Sequence, residues 1–398
     1  MNHLGQLPSE IISLILQHVS EQQDLYTCTL VSHQFYAETN PLLWRSPRIR
    51  NDTAVQQFMN TITTTTTTSP CRHGEVRHLE LVDWIWSDTQ LMTLLEHIGY
   101  TLASLALYNT THITDASMQH GARYCPSLQR LDLKKCPHVT HHTLHAFGHH
   151  CRSLRQLLLI DCPCLGAETF TFTTTTTAAT EGGLHLETLA LGVPFSGLRT
   201  KQALTHLTQG TPQLTHLTLT ASPQYFIDRL LSFTLAWPHL VALTIQGYKA
   251  SSPFSSLKHH HRPAKGGGSA LISFLQCHPA LQVLQLEKGD FSDTTLDAIA
   301  ALDPPAGMTR VNVSDNHGMI SEHGVRHFVK HCPRLRSLAM AGCGIKANAF
   351  PEAATTTTTD TTTTHGDSGG MDTFAAHLDH VAIDKIRLAS GSPRRDSW

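Results

Sequence analysis

An apolar pattern, L-x-x-L-x-L, returns ten times along the chain, and no other feature narrows the possible folds so far. It starts at Val76, Leu102, Leu128, Leu154, Leu186, Leu214, Leu240, Leu281, Met308 and Leu335, with most steps 26 to 28 residues long. A period of that length marks a repeat architecture, in which one unit cannot bury its own apolar face and neighbours must stack. The first, fourth and sixth positions of each unit are apolar, as a half-buried strand requires, and the residues between them face the free side of the sheet. An apolar residue, then Ser or Thr, then often an acid follows the strand, as in Ile113-Thr114-Asp115, Phe291-Ser292-Asp293 and Ile320-Ser321-Glu322. That triplet predicts a helix N-cap with a first-turn acid. Stripes such as Leu144 and Phe147, or Val325, Phe328 and Val329, predict a helix that packs back on the sheet. Ile383 is a possible eleventh start.

Seven of the ten cysteines keep a fixed place in this repeat. Cys136, Cys162 and Cys343 lie eight residues after their unit's first apolar residue, where Asn316 also stands, and Cys125, Cys151, Cys332 and Cys277 lie three or four residues before the next start. Residues so placed are expected to be small buried hydrophobes. Cys162-Pro163-Cys164 and the 29 histidines are the best material for a metal site, but there is no Cys-x-x-Cys pair, and no metal or disulfide is expected. Three threonine runs, Thr63 to Thr68, Thr173 to Thr177 and Thr355 to Thr364, fall at junctions or long steps, and a basic, glycine-rich stretch lengthens the step after Leu240. Insertions are therefore expected at 171–183, 250–269 and 348–377, inside a repeat domain spanning 76–390.

The N-terminal stretch from Leu7 to Ile49 reads differently. Ile11, Ile12, Leu14, Ile15, Leu16 and Val19 leave only Ser13, Gln17 and His18 polar in the first helix, an apolar arc wider than one core-facing stripe. Pro8 and Ser9 are expected to open that helix, Asp24 and Ser32 to cap the next two, and Pro41 to end the third. A module of this size rarely holds a core of its own, so its second apolar face is expected to dock on another protein. The residues Leu7-Pro8-x-Glu10-Ile11, Asp24-Leu25, Leu30-Val31-Ser32, Phe35 and Leu43-Trp44 resemble the F-box pattern in order and spacing. Residues 4–49 are accordingly read as an F-box and 50–75 as a linker carrying the first threonine run.

With the cysteine-bearing repeats, the chain resembles the F-box and leucine-rich-repeat family, in its cysteine-containing subfamily. The fold class this implies is α/β, a small three-helix F-box followed by a leucine-rich-repeat solenoid, a curved parallel sheet with helices on its convex side. The function it implies is that of a non-catalytic substrate receptor of an SCF-type cullin-RING ubiquitin ligase. Its partners would be a Skp-type adaptor, through it a cullin and a RING protein, and a target protein bound by the repeats for ubiquitin-dependent proteasomal degradation. Adaptor contacts would be drawn from Leu7, Pro8, Ile11, Ile15, Leu25, Cys28, Val31, Ser32, Phe35, Leu43 and Trp44, some of which must instead hold the three helices together. A binding scaffold or inhibitor working outside a ligase is the alternative.

Positions 3, 5, 7 and 8 of the early strands, with Trp84 one residue further on, supply the candidate target contacts, and His78, Glu80, Trp84, Tyr108, Arg130, Asp132, Lys134 and Lys135 mix aromatic and charged groups as interface hot spots do. Middle strands offer mostly Thr and Ala, and late ones Gln285, Glu287, Lys288, Arg310, Asn312 and Asp315. A balance of 29 basic and 31 acidic residues argues against a general nucleic-acid binder. No apolar run is long enough for a membrane span, and no leader precedes the F-box, so a cytoplasmic or nuclear protein is expected. No catalytic motif and no cofactor site is read in the sequence: there is no Gly-x-Ser-x-Gly, no Gly-x-x-x-x-Gly-Lys and no His-Glu-x-x-His.

Overall fold

Apolar spacing sets the strands. Each of the ten starts is buried, and a strand begins two residues after it in every case. The computed structural model describes residues 7–49, 51–64, 76–83, 85–166, 168–171, 185–192, 200–221, 224–247, 267–289, 291–302, 307–352 and 375–389. In chain order the elements are α1 (Ser9–Leu16), α2 (Gln22–Thr29), α3 (His33–Arg45), β1 (Arg48–Ile49), α4 (Asp52–Thr64), β2 (His78–Val82), α5 (Asp88–Ile98), β3 (Ser104–Tyr108), α6 (Asp115–Ala122), β4 (Arg130–Lys134), α7 (His141–His150), β5 (Gln156–Ile160), β6 (Thr188–Gly192) and α8 (Lys201–Gly210). They continue as β7 (His216–Thr220), α9 (Gln224–Leu231), β8 (Ala242–Gln246), α10 (Gly267–Gln276), β9 (Val283–Glu287), α11 (Asp293–Ala300), β10 (Arg310–Asn312), α12 (Glu322–His331), β11 (Ser337–Ala339), β12 (His377–Leu378) and α13 (His380–Ala389). No described helix is long and apolar enough to cross a membrane.

The chain divides into two compact units, one of Met1–Leu186 with Pro194–Thr211 and one of Glu187–Val193 with Pro212–Trp398. In the first, β1 to β5 pair in sequence order and all in parallel, with Leu105 opposite Leu131 and Leu131 opposite Leu157. In the second, β6 to β11 do the same, and β12 closes the edge antiparallel to β11. The α/β class expected from the sequence, a helical N-terminal module followed by parallel strand–turn–helix repeats, is the one observed. The threonine runs beyond Thr64 and most of the expected insertions at 171–183, 250–269 and 348–377 lie outside the described residues, although α10 begins at Gly267 within the second.

Polar side chains at fixed positions join one unit to the next. The Asp115 carboxylate, at the first position of α6, accepts from the Thr140 amide at 2.8 Å, the Thr140 hydroxyl, and the Thr143 hydroxyl at 2.6 Å, all at the start of α7. Asp88 does the same for Thr114 and Ser117, and Asp293 for Ser321. The first-turn acid therefore serves the following helix as well as its own. At the turn, Cys136 and Cys162 donate to the Leu107 and Leu133 carbonyls of the preceding unit at 3.5 Å, and Cys343 to Val313 at 3.0 Å. Asn316 donates to Leu286 at 2.7 Å from the same slot. These thiols are buried, as expected, and each also donates to a carbonyl of the preceding unit, whereas Cys277, expected to be buried like them, is exposed. Cys125 is buried without such a role, and burial pushes its thiol up to about 12.

One position earlier the chain takes a left-handed turn, at Asp83, Asn109, Lys135, Asp161, Ala221, Lys288 and Asp315, all with φ between 50° and 69°. Each costs backbone energy that only Asn and Asp partly avoid. The geometry is held because the amide there reaches the next strand, as from Lys135 to the Ile160 carbonyl at 2.9 Å.

The structure corrects several local expectations. Asp24 is not an N-cap: Glu21 stands there, and Asp24 lies in the first turn of α2, where a carboxylate suits the helix dipole. Ser32 does cap α3, accepting from the Phe35 amide at 3.2 Å. Pro41 does not end α3 but sits inside it, forfeiting one backbone bond. The last turn is held instead by Trp44, stacked on Phe58 of α4 at 5.9 Å between centroids. Within the expected linker, Asp52–Thr64 is a helix with Val55, Phe58 and Ile62 buried. With β1, which pairs Arg48 with Glu80, it joins the N-terminal module to the first repeat. Ile383 starts no eleventh strand: it is buried in α13, whose Arg387 donates to the Val329, Cys332 and Leu335 carbonyls and so caps the end of α12.

Asp115→Ala, which strands three donors, should cost about 2–3 kcal/mol in denaturant melts at neutral pH. Burial opposes ionisation of Asp115, but the hydrogen bonds from Thr140 and Thr143 outweigh it and hold the carboxyl below its usual range. A depressed folded pKa stabilises above the unfolded value of about 4 and is lost as pH falls through the folded value, so the gap between wild type and variant should narrow below pH about 4.

Candidate functional site

Helix α1 has more apolar residues than one face can bury. Ile12 and Leu16 point into the module's core, together with Leu25 of α2, which is only 8% exposed. On the same helix Ile11, Leu14 and Ile15, spaced to share a face, are exposed, Ile15 at 53%. The segment between α2 and α3 presents Leu30 at 70% and Val31 at 59%. The α1 entry is fixed from α3, where the Gln34 side-chain amide donates to the Leu7 carbonyl at 2.9 Å.

Of the residues marked from sequence as adaptor contacts, Pro8, Ile11, Ile15, Val31 and Ser32 are exposed, and Leu7, Cys28, Phe35, Leu43 and Trp44 are half-buried. Leu25 belongs to the core and is corrected accordingly: its burial leaves no surface for a partner. Leu43 and Trp44 line an open hollow of ≈ 560 Å³ with Tyr26 and Phe58. Leu14, Leu30, Tyr26 and Tyr36 are exposed apolar or aromatic residues of the module that the sequence reading left off its contact set. The wide apolar arc of α1 already contained the signal for Leu14.

On the strands of the same unit, His78, Glu80, Arg130, Lys134 and Lys135 are exposed and Tyr108 half-buried, whereas Trp84 lies outside the described residues. Asp132 is corrected: at 3% exposure it is an internal anchor rather than a contact. Its carboxylate accepts from Arg130 Nε at 3.1 Å and a terminal Arg130 nitrogen at 2.8 Å, and from the Tyr108 hydroxyl at 3.3 Å. Burial, the Asp132 charge and this hydrogen bond push the Tyr108 phenol up to about 12. Burial, then the charges of Arg45, Arg130 and Arg77, push His78 down. Around this triad opens a hollow of ≈ 520 Å³ with Leu158 and Ile160 among its lining, apolar residues at positions that are polar or small in most other units.

The polar residues of the late strands are occupied with one another. Thr244 donates to Gln285 at 2.8 Å, Gln246 to Glu287 at 2.9 Å, and Asn312 also to Glu287. Their hydrogen-bonding capacity is largely spent within the sheet face. Cys162 is buried and Cys164 exposed, so the pair is not brought to one site.

This arrangement, a helical module with unburied apolar side chains fused to strand–helix repeats, can bind and position proteins. Residues 4–73 match the family model of the COS11 F-box domain. The match takes in α4, beyond the boundary at residue 49 read from the sequence. No curated protein matches the chain. Among solved structures, it is similar to a chain of the TLR13–ssRNA13 complex, at 14% identity over 68% of this chain and 33% of that one, with a TM-score of 0.42. It is also similar to a chain of the Rad7 and Elc1 complex in yeast, at 15% identity over 84% of this chain and 69% of that one, with a TM-score of 0.43. This chain thus spans a third of the length of the chain it matches in the TLR13 complex.

Asp132→Asn removes the charge beside Tyr108 while burial stays, so the phenol should titrate between about 12 and the ordinary 10. A tyrosinate absorbance titration, with Tyr108→Phe as the blank for the other tyrosines, measures it.

Proposed function

We propose that this chain is the substrate-recognition subunit of an SCF-type cullin-RING ubiquitin ligase. Its N-terminal module would dock a Skp-type adaptor, and through it a cullin and a RING protein, while the repeats hold a target for ubiquitin-dependent proteasomal degradation. The observation that carries this reading is the set of exposed side chains, Ile11, Leu14, Ile15, Leu30 and Val31, inside the segment that matches the F-box model. Burying each against a partner contributes about 1.5–3 kcal/mol before association costs, so a few suffice for stable docking. The chain would act as a connector without chemistry of its own, in the cytoplasm or nucleus. The exposed strand residues around Tyr108, Arg130 and Lys134 would meet the target, with Asp132 fixing Arg130 in place.

Tagged wild-type chain expressed in eukaryotic cells should bring down the adaptor and cullin. Ile11→Glu with Ile15→Glu, both on the exposed face, should keep the melting temperature and weaken adaptor capture by about 100-fold or more. Equal capture by the variant, or none by the folded wild type, would overturn the ligase reading.

A further inference from the structure

The strand-entry edge of the N-terminal unit carries a set of cations that the adaptor and target surfaces do not use. Backbone bonds across it run from Arg77 to the Arg45 carbonyl at 3.0 Å, from Ala103 to Arg77 at 2.7 Å, from Gln129 to Ala103 at 2.8 Å and from Arg155 to Gln129 at 2.9 Å. This ladder sets Arg45, Arg77 and Arg155 in one row, about 4.8 Å per strand. Arg123 and Arg152 stand exposed in the helix-to-strand turns of the same edge, beside Tyr100, which is 75% exposed, and the exposed Tyr124.

Acid is missing from these turns: 97–104, 120–129 and 149–156 contain neither Asp nor Glu. Glu96, just before the first of them, is paired with His120 at 2.7 Å. Cations at helix ends are favourable in their own right, and Arg77 and Arg155 donate to the Thr101 and Arg152 carbonyls. Arg45 in the last turn of α3, Arg123 at the C-cap of α6 and Arg152 just beyond α7 gain from the helix ends too, but unlike the other two they have no acidic partner and no carbonyl partner among the described residues. The cations also act on each other, since burial and then the charges of His149 and Arg123 push His150 down. The opposite, strand-exit edge of the same unit mixes Asp83, Asp88, Asp115 and Asp161 with Lys134 and Lys135.

We propose that this edge, from Arg45 to Arg152 with Tyr100 and Tyr124 between, is a docking surface for an acidic polypeptide segment. Guanidinium forks bind carboxylates bidentately, and exposed Tyr beside Arg is the composition of protein-binding hot spots. A protein segment is favoured over nucleic acid because the chain as a whole is balanced, at 29 basic and 31 acidic residues. A long polyanion would run past the ends of the row, whereas a short acidic segment stays within it.

The test is fluorescence anisotropy of the full chain with a labelled deca-glutamate peptide and with an oligothymidylate of equal charge, at low and at physiological salt. Binding of the peptide is expected, weakened by salt and reduced about tenfold or more in Arg123→Glu with Arg152→Glu. That variant changes exposed residues and should keep both its melting temperature and adaptor capture. No peptide binding at low salt, equal binding by the folded variant, or tighter binding of the oligonucleotide would each overturn the proposal. Should the double variant fail to fold, Arg45→Glu and Arg152→Gln, made singly, must each lower the affinity, and two unchanged affinities would overturn it as well.

Discussion

A strand–turn–helix unit cannot stand alone, and the contact that lets it stand is the reach of a polar side chain into the next unit. Asp88, Asp115 and Asp293 each accept from the amide and hydroxyl that open the following helix, joining two helices through one carboxylate. Cys136, Cys162, Asn316 and Cys343 do the complementary work at the turn, donating back to the preceding strand. Apolar burial supplies the larger free energy, but it is non-directional. The hydrogen bonds set the register in which the burial happens, which is why the apolar starts fall opposite one another along each unit's sheet.

The same logic reaches the N-terminal module. Strand β1 extends the sheet ahead of β2, and α4 packs on α5, so the three short helices continue into the first repeat. Val55, Phe58 and Ile62 are buried there, and Phe58 carries Trp44. The module can therefore leave Ile11, Ile15, Leu30 and Val31 unburied without unfolding, because part of its core is shared with the repeats. Residues that would be a stability liability in an isolated domain become available to a partner.

The ten repeat strands, β2 to β11, were legible because their signal is strict: the apolar period fixes both their existence and their first residue, whereas β1 and β12 lie outside the period. The caps at Thr114, Ser321 and Ser32 were equally readable, since a hydroxyl before an apolar stripe has few other uses. What the spacing hides is reach. Nothing local distinguishes an acid serving its own helix from one serving the next, and Asp132 looks like any exposed strand residue until Arg130 and Tyr108 are seen to enclose it. Helix α4 was obscured by the threonines that follow it, although Val55, Phe58 and Ile62 lie at helical spacing. Pro41 and Ile383 misled for opposite reasons. The proline is tolerated because tertiary packing holds the last turn, and the isoleucine belongs to a helix that closes the array.

Hydrogen exchange of the free chain and of the chain with a purified Skp-type adaptor tests most directly whether the unburied residues of α1 and of the segment from Leu30 to Tyr36 are a docking surface. Added protection confined to these two segments, with β2 to β5 unchanged, is the expected result. Unchanged exchange in α1, or protection appearing only on the repeats, would contradict it.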